Sequence, residues 1–209
     1  MADANTIAGL ATAGGTLVLA VATFSAVRSS NKSAQTAERA LLAGIRPVLV
    51  PSRVDDPMMK INWGDDHWTR IEGSRASVEV EGDIIYLAMS LRNVGTGIAV
   101  LQAWWPAPEA LRQEPHADID SMRRQQRDIY VPAGDIGFWQ GAIRDADDPC
   151  RPGLLRAFSD RTPITVELLY SDHEGGQRTI TRFAFLPFGE GQYMCTVGRH
   201  WNLDRPDPR

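Results

Sequence analysis

The chain has 209 residues, of which 43% are hydrophobic and 23% are charged. This balance is typical of a folded protein and argues against a disordered one, and the length accommodates one domain plus an appendage. The formal net charge of −4 lacks the concentrated basic surplus of nucleic-acid-binding proteins, so we expect no nucleic-acid partner.

The N-terminal segment has no charged side chain over residues 4–27. As a helix, these residues would be about 36 Å long, compared with about 30 Å for the hydrocarbon core of a bilayer. The segment therefore predicts one transmembrane helix. Two alternatives stay open, a buried helix of a soluble domain and a cleaved signal peptide. A signal peptide would have basic residues before the apolar stretch, where this chain has only Met1, Ala2 and Asp3.

Positive charge follows this segment and does not precede it. The positive-inside rule then predicts a single-pass protein of the cell membrane whose C-terminal domain lies in the cytoplasm. The basic residues on which this orientation depends are Arg28, Lys32, Arg39 and Arg46.

Small residues recur four apart within residues 4–27, a spacing that lets membrane helices approach closely. The expected partners are therefore bilayer lipid and a second helix, from a homo-oligomer or from a protein partner. The alternative is that small residues are simply common in this composition. The predicted helix-packing residues are Gly9, Ala13, Ala11 and Gly15.

A short polar helix or stalk is predicted for residues 28–45. Ala34, Ala37 and Leu41 fall on one stripe of such a helix. Gly44 is a plausible stop, and Pro47 prevents a regular continuation.

Beyond Arg46 the pattern changes to short apolar runs separated by turn residues, which predicts a β domain at residues 46–200 and an extended tail at 201–209. The glycines of residues 93–97 and 172–176 can adopt the positive φ of tight turns. The fold class is mainly β, and we favour an immunoglobulin-like antiparallel β-sandwich. Nine strands are predicted, at residues 47–51, 76–81, 84–93, 97–105, 128–132, 137–143, 164–170, 178–186 and 192–199.

Three short motifs accompany the predicted order of a membrane helix, a polar helix and a β domain. They are Arg46-Pro47 at the start of the β domain, an N-x-G-x-G turn at residues 93–97, and a Y-x-D-x-x-G hairpin at residues 170–175. With them the chain resembles uncharacterised bacterial single-pass, membrane-anchored β-sandwich proteins of immunoglobulin-like type. The resemblance implies a fold and a membrane location. It implies no activity and no site residues.

Two stretches of the β domain, residues 106–127 and 145–163, show no strand pattern. Irregular insertions of this length in a compact domain are often functional, although they can also simply cover a sheet edge. Neighbouring residues of a strand face opposite ways, so one of Trp104 and Trp105 should be exposed. The predicted partner-binding residues are Trp105, Arg112, Arg123, Arg124 and Arg127.

No motif for catalysis is present. Ser171, Asp172 and His173 are adjacent on a predicted turn, where they point apart and cannot form a triad. His67, His116 and His173 lie near carboxylates, but two of these three sites are turns, where aspartate serves its own backbone. We therefore predict no catalytic residue, no metal and no cofactor.

The leading functional prediction is a non-enzymatic, membrane-anchored protein whose β-sandwich binds a protein partner or supports a complex. One alternative is an externally facing β-sandwich that binds carbohydrate or another ligand through surface tryptophans, with a Cys150–Cys195 disulfide. Otherwise both cysteines should be free thiols. A metal-dependent hydrolase is the remaining alternative.

Overall fold

The computed structural model describes residues 4–109, 115–189 and 191–205, without the side chains of residues 4–12 and 43. The chain divides after Gly44 into two compact units, one helical and one composed mainly of β-strands. The predicted mainly β class and the predicted N-terminal helix are confirmed.

Helix α1 runs without interruption over Ala4–Gly44, so the two predicted N-terminal helices are one. It ends at the predicted glycine, ahead of Pro47. Among the residues that the structure describes, no helix combines the length and the apolar character needed to cross a membrane. Of the predicted helix-packing residues, Ala13 and Gly15 are exposed, whereas the side-chain description does not extend to Gly9 and Ala11.

The β unit contains every predicted strand, three further short strands (β2, β3 and β7) and one α-helix. A 3-10 turn covers Ile119–Ser121, and helix α2 covers Arg151–Ser159. The strands are β1 Leu49–Pro51, β2 Met59–Asn62, β3 Trp68–Ile71, β4 Arg75–Glu81, β5 Ile84–Asn93, β6 Ala99–Ala107, β7 Arg123–Arg124, β8 Tyr130–Val131, β9 Ile136–Ile143, β10 Ile164–Ser171, β11 Thr179–Phe188 and β12 Gln192–Asn202.

Ten of these strands form one antiparallel sheet. β9 pairs with β5, β5 pairs with β1 and β4, and the path continues through β12, β11, β10 and β6 to β7 and β8. The two ends of this path come together, because the rings of Trp104 on β6 and Trp139 on β9 pack edge to face with centroids 5.2 Å apart. The sheet therefore curls around one core.

The core follows the alternation of side chains along the strands. On β5, Ile85, Leu87 and Met89 point inward, while Ala88 points outward. The β2–β3 hairpin covers that outer face with Ile61. Residues 117–122 cover the opposite outer face over β10, β11 and Trp201.

The described part of the predicted tail, residues 201–205, contacts the β unit. β12 continues to Asn202, which pairs with Thr179, and Trp201 is buried. Asp204 forms an ion pair with Arg46 at the start of the β unit.

Asn93 joins three segments through one buried side chain. Its Oδ1 accepts hydrogen bonds from the backbone N–H groups of Val48 (3.1 Å) and Gly95 (3.0 Å). Its Nδ2 donates to the carbonyls of Gly97 (2.6 Å) and Val131 (3.0 Å). The turn therefore depends on its asparagine as much as on its glycines.

The glycines of that turn have a different role from the predicted one. Neither Gly95 nor Gly97 has a positive φ. Instead, a Cβ at Gly97 would lie 1.7 Å from the carbonyl oxygen of Ile45, so the close approach of the entering chain requires glycine there. In the hairpin of residues 172–176, Gly175 does adopt a positive φ of 76°, as predicted.

Candidate partner-binding groove

A groove with a volume of about 960 Å³ opens where the two ends of the curled sheet meet. Its size is within the range of about 300–1,000 Å³ that is typical of ligand sites. We call it the basic groove. Three segments line it, residues 62–64 of the β2–β3 turn, residues 123–127, and residues 140–145 of β9 and the following loop, together with Trp104 and Asp148.

A glutamine side chain joins the two ends of the sheet at this groove. Gln125 Nε2 donates to the carbonyl oxygen of Gln140 at 3.0 Å, and Gln125 Oε1 accepts from Trp139 Nε1 at 3.2 Å. The close packing beneath requires Gly141, because a Cβ there would lie 2.9 Å from the Trp104 ring. Side chains therefore hold together the two ends of the sheet, whose strands do not pair with each other.

Four arginines line the groove and dominate its charge: Arg123, Arg124, Arg127 and Arg144. Carboxylates neutralise two of them. Both carboxylate oxygens of Asp148 lie 2.7 Å from Arg123 Nη2. Burial lowers the pKa of Arg123, but hydrogen bonds and charge interactions with Asp148 and Cys150 together outweigh that effect, so the pKa is raised. Arg144 donates to Asp65 at 2.6 Å.

The other two arginines, Arg124 and Arg127, are exposed. Arg127 donates one hydrogen bond, at 3.3 Å, to the carbonyl oxygen of Asn62. Within residues 4–109, 115–189 and 191–205, no carboxylate forms an ion pair with Arg124 or Arg127. Their positive charges are therefore available to a ligand.

Gln140 has an unsatisfied polar atom below the surface of the groove. The residue is only 7% exposed, and its Oε1 is buried without a hydrogen-bond partner among the described residues. A buried acceptor without a donor costs about 1–3 kcal/mol.

The structure brings together three of the five predicted partner-binding residues, Arg123, Arg124 and Arg127, in one groove. Trp105 lies elsewhere: it is half-buried and packs against the cluster around Trp201 on the outer face of the sheet. Arg112 lies outside the described residues.

Sequence reasoning missed Gln125, Gln140 and Arg144, which complete the groove. Gln140 and Arg144 lie on or just after β9, and no motif marks them. Their only sequence signal is their position on the predicted strand 137–143 or just after it, next to the irregular stretch of residues 145–163.

The histidines engage protein groups. The His67 nitrogens lie 2.7 Å from Glu81 Oε2 and 2.9 Å from Glu79 Oε2, and its ring stacks on Tyr86 at 3.8 Å. His116 Nδ1 contacts the neighbouring carbonyl of Ala117 at 2.8 Å. In the described part of the chain, no three His, Cys, Asp or Glu side chains are grouped as metal ligands.

The Ser171-Asp172-His173 sequence forms a turn. Asp172 accepts hydrogen bonds from the backbone N–H groups of Glu174, Gly176 and Gln177, at 3.0, 2.9 and 3.2 Å. Ser171 Oγ donates to the carbonyl of Asp172 at 2.8 Å rather than facing a base. This arrangement organises the hairpin and contains no relay.

The chain was compared with known proteins in three ways. No protein-family model, no curated protein and no solved structure matches it. The resemblance to membrane-anchored β-sandwich proteins therefore stays a prediction. The candidate site rests on the geometry of the basic groove.

Proposed function

We propose that the protein is a non-enzymatic interaction module that binds a protein partner in the basic groove. The observation that carries this proposal is the position of two exposed arginines, Arg124 and Arg127, on one concave surface, where no carboxylate of the described residues forms an ion pair with them. Arginine is enriched at protein interfaces, where its guanidinium group binds carboxylates through several hydrogen bonds.

The lining of the groove favours binding over catalysis. Its described residues include no serine, cysteine, threonine, lysine or histidine that could act as a nucleophile or transfer a proton at neutral pH. The two lining carboxylates have structural partners. Asp148 binds Arg123, and Asp145 accepts a hydrogen bond from the N–H of Asp147 at 3.0 Å.

We further propose that the β unit is an immunoglobulin-like sandwich and that α1 anchors it to the cell membrane with the β unit in the cytoplasm. The support is the uncharged run of residues 4–27 and the basic residues that follow it. Self-association through Gly9, Ala11, Ala13 and Gly15 belongs to the same proposal.

Site-specific photocrosslinking tests the binding function. A photoreactive amino acid at Gln126, an exposed residue of the groove, should yield a defined protein adduct in cells. The same amino acid at Val54, which is 73% exposed and outside the groove, is the matched control. The adduct should disappear when Arg124 and Arg127 are both changed to glutamate. No adduct specific to Gln126 would refute the proposal.

Thiol labelling tests the location. Cys195 is buried, which raises the pKa of its thiol, so a membrane-impermeant maleimide should react with the half-buried Cys150. We expect labelling in lysed cells and none in intact cells. Labelling of Cys150 in intact cells would contradict a cytoplasmic β unit.

A further inference from the structure

The backbone of β9 is already occupied where it lines the basic groove. The carbonyl of Gln140 accepts from Gln125 Nε2, and the carbonyl of Gly141 accepts from Trp63 Nε1 at 3.2 Å. These two backbone acceptors beside the groove are therefore engaged by side chains of the protein itself. Arg124 and Arg127 are exposed donors of the groove that a ligand can reach.

The groove offers one kind of unmet contact. Arg124 and Arg127 are exposed donors that prefer carboxylate oxygens in a planar, bidentate arrangement. Gln140 Oε1 is an unpartnered acceptor, but it is buried below the surface, so a ligand in the groove does not reach it. The ligand therefore carries carboxylates for the two arginines.

The acids of the groove limit the charge of that ligand. Asp145 and Asp148 lie on the same lining as the four arginines, and the whole chain has a net charge of −4. Asp148 is neutralised by Arg123, so a polyphosphate backbone would be repelled mainly by Asp145. A ligand with a few separated carboxylates can avoid Asp145.

The aromatic rings of the groove are not open platforms for sugars. The guanidinium group of Arg123 lies over the Trp104 ring at 5.3 Å, and Trp104 is only 4% exposed. The Trp63 ring packs against Tyr86 and His67 at centroid distances of 5.2 and 5.1 Å. This arrangement disfavours an acidic polysaccharide relative to a peptide.

We propose that the basic groove binds an acidic, extended peptide segment of the partner protein. Carboxylates of the segment pair with Arg124 and Arg127. Residues 140–145 line the groove over about 17 Å if they are extended, which corresponds to about five or six residues of a ligand strand. This inference rests on the proposed interaction function and specifies the chemistry of the partner.

Peptide selection tests the inference. The probe is a phage library of random seven-residue peptides, selected on the purified full chain in mild detergent. Synthetic copies of the selected peptides are then measured by fluorescence polarisation. We expect at least two Asp or Glu residues per selected peptide and an affinity that falls as salt is raised.

Single variants identify the contacts. Arg124→Glu and Arg127→Glu should each weaken the selected peptides at least tenfold. Arg70→Glu changes the net charge equally at an exposed position of β3 outside the groove and should leave affinity within twofold.

Several outcomes would overturn the inference. These are selected peptides without acidic residues, acidic peptides that bind the arginine variants equally well, or an empty selection. Tighter and Arg124-dependent binding of a hexagalacturonate or of a 20-nucleotide single strand would assign the groove to another class of ligand. If the chain with natural Arg124 and Arg127 forms the Gln126 crosslink but the selected peptides are not acidic, the interaction function stands and the acidic-peptide chemistry fails. If that chain forms no crosslink, the interaction function itself is refuted.

Discussion

Replacing Glu167 with glutamine removes the negative charge of a fully buried ion pair. Glu167 is 0% exposed and Arg182 is 2% exposed, and Arg182 Nε donates to Glu167 Oε1 at 2.7 Å. The second carboxylate oxygen accepts from the backbone N–H of Ala117 at 2.7 Å, and Arg182 also donates to the carbonyl of Pro115 at 2.8 Å. The pair therefore fastens the segment after residue 114 to the outer face of the sheet.

The expected loss of stability follows from that burial. Removing one partner of a buried pair costs about 3–5 kcal/mol, because the other charge stays in the protein without compensation. The free energy of unfolding of a domain of this size is about 5–15 kcal/mol, so the loss would be a large share of it. With a urea m-value of about 2 kcal/mol/M, the unfolding midpoint should fall by about 2 M.

The assay is urea unfolding followed by tryptophan fluorescence. Glu174→Gln is the matched control, because its side chain is 73% exposed and the same substitution there should change stability by less than about 0.5 kcal/mol. Replacing both partners together, as Glu167→Leu with Arg182→Met, should restore much of the stability that Glu167→Gln loses. A loss below about 1 kcal/mol for Glu167→Gln would refute the reasoning.

Three further predictions concern packing, thiol reactivity and pH. Gly141→Ala should destabilise the β unit by about 1–3 kcal/mol in the same urea assay, because its Cβ would overpack against two tryptophan rings. Gly198→Ala is the control and should be nearly neutral, because its Cβ would meet no atom nearer than 3.7 Å. In the native protein, Cys150 should react with a thiol reagent, whereas Cys195 should react only after denaturation, because burial raises the pKa of its thiol. Two thiols that react at equal rates in the native protein would contradict this. Burial raises the pKa of Asp172, but hydrogen bonds from backbone N–H groups outweigh burial and hold it below the ordinary 3.8. The ionised carboxylate therefore stabilises the fold above that pH, and this contribution is lost as the pH falls through the lower folded value. Asp172→Asn should thus be less stable than the natural chain at pH 6, by an amount that shrinks in acid, and a difference independent of pH would count against it.

The long strands were predictable because two local signals coincide in them. On β5, inward Leu87 and Met89 alternate with outward Ala88, and the turn at residues 93–97 marks the end of the strand. The β2–β3 hairpin was not predicted, because each strand has only four residues. Ile61 and Ile71 are its buried side chains, and two apolar positions in two short runs do not establish a period.

The groove was only partly predictable, for a physical reason. Arg123, Arg124 and Arg127 are conspicuous in an irregular insertion, so composition alone identifies them. Gln140 and Arg144 become neighbours of these arginines only when the sheet curls and its two ends meet. That contact joins strands which do not pair with each other, and no local pattern encodes it.

The hydrogen bonding of Asn93 has a consequence for reading the N-x-G-x-G motif in evolutionary terms. All four hydrogen-bonding positions of its amide are used, two as acceptor and two as donor, inside a fully buried site. Aspartate would lose both donated bonds, and leucine would leave four backbone groups without partners. Only asparagine satisfies this environment, so an invariant asparagine at this position in relatives would reflect architecture. Sequence variation around the basic groove is the more informative record of what each relative binds.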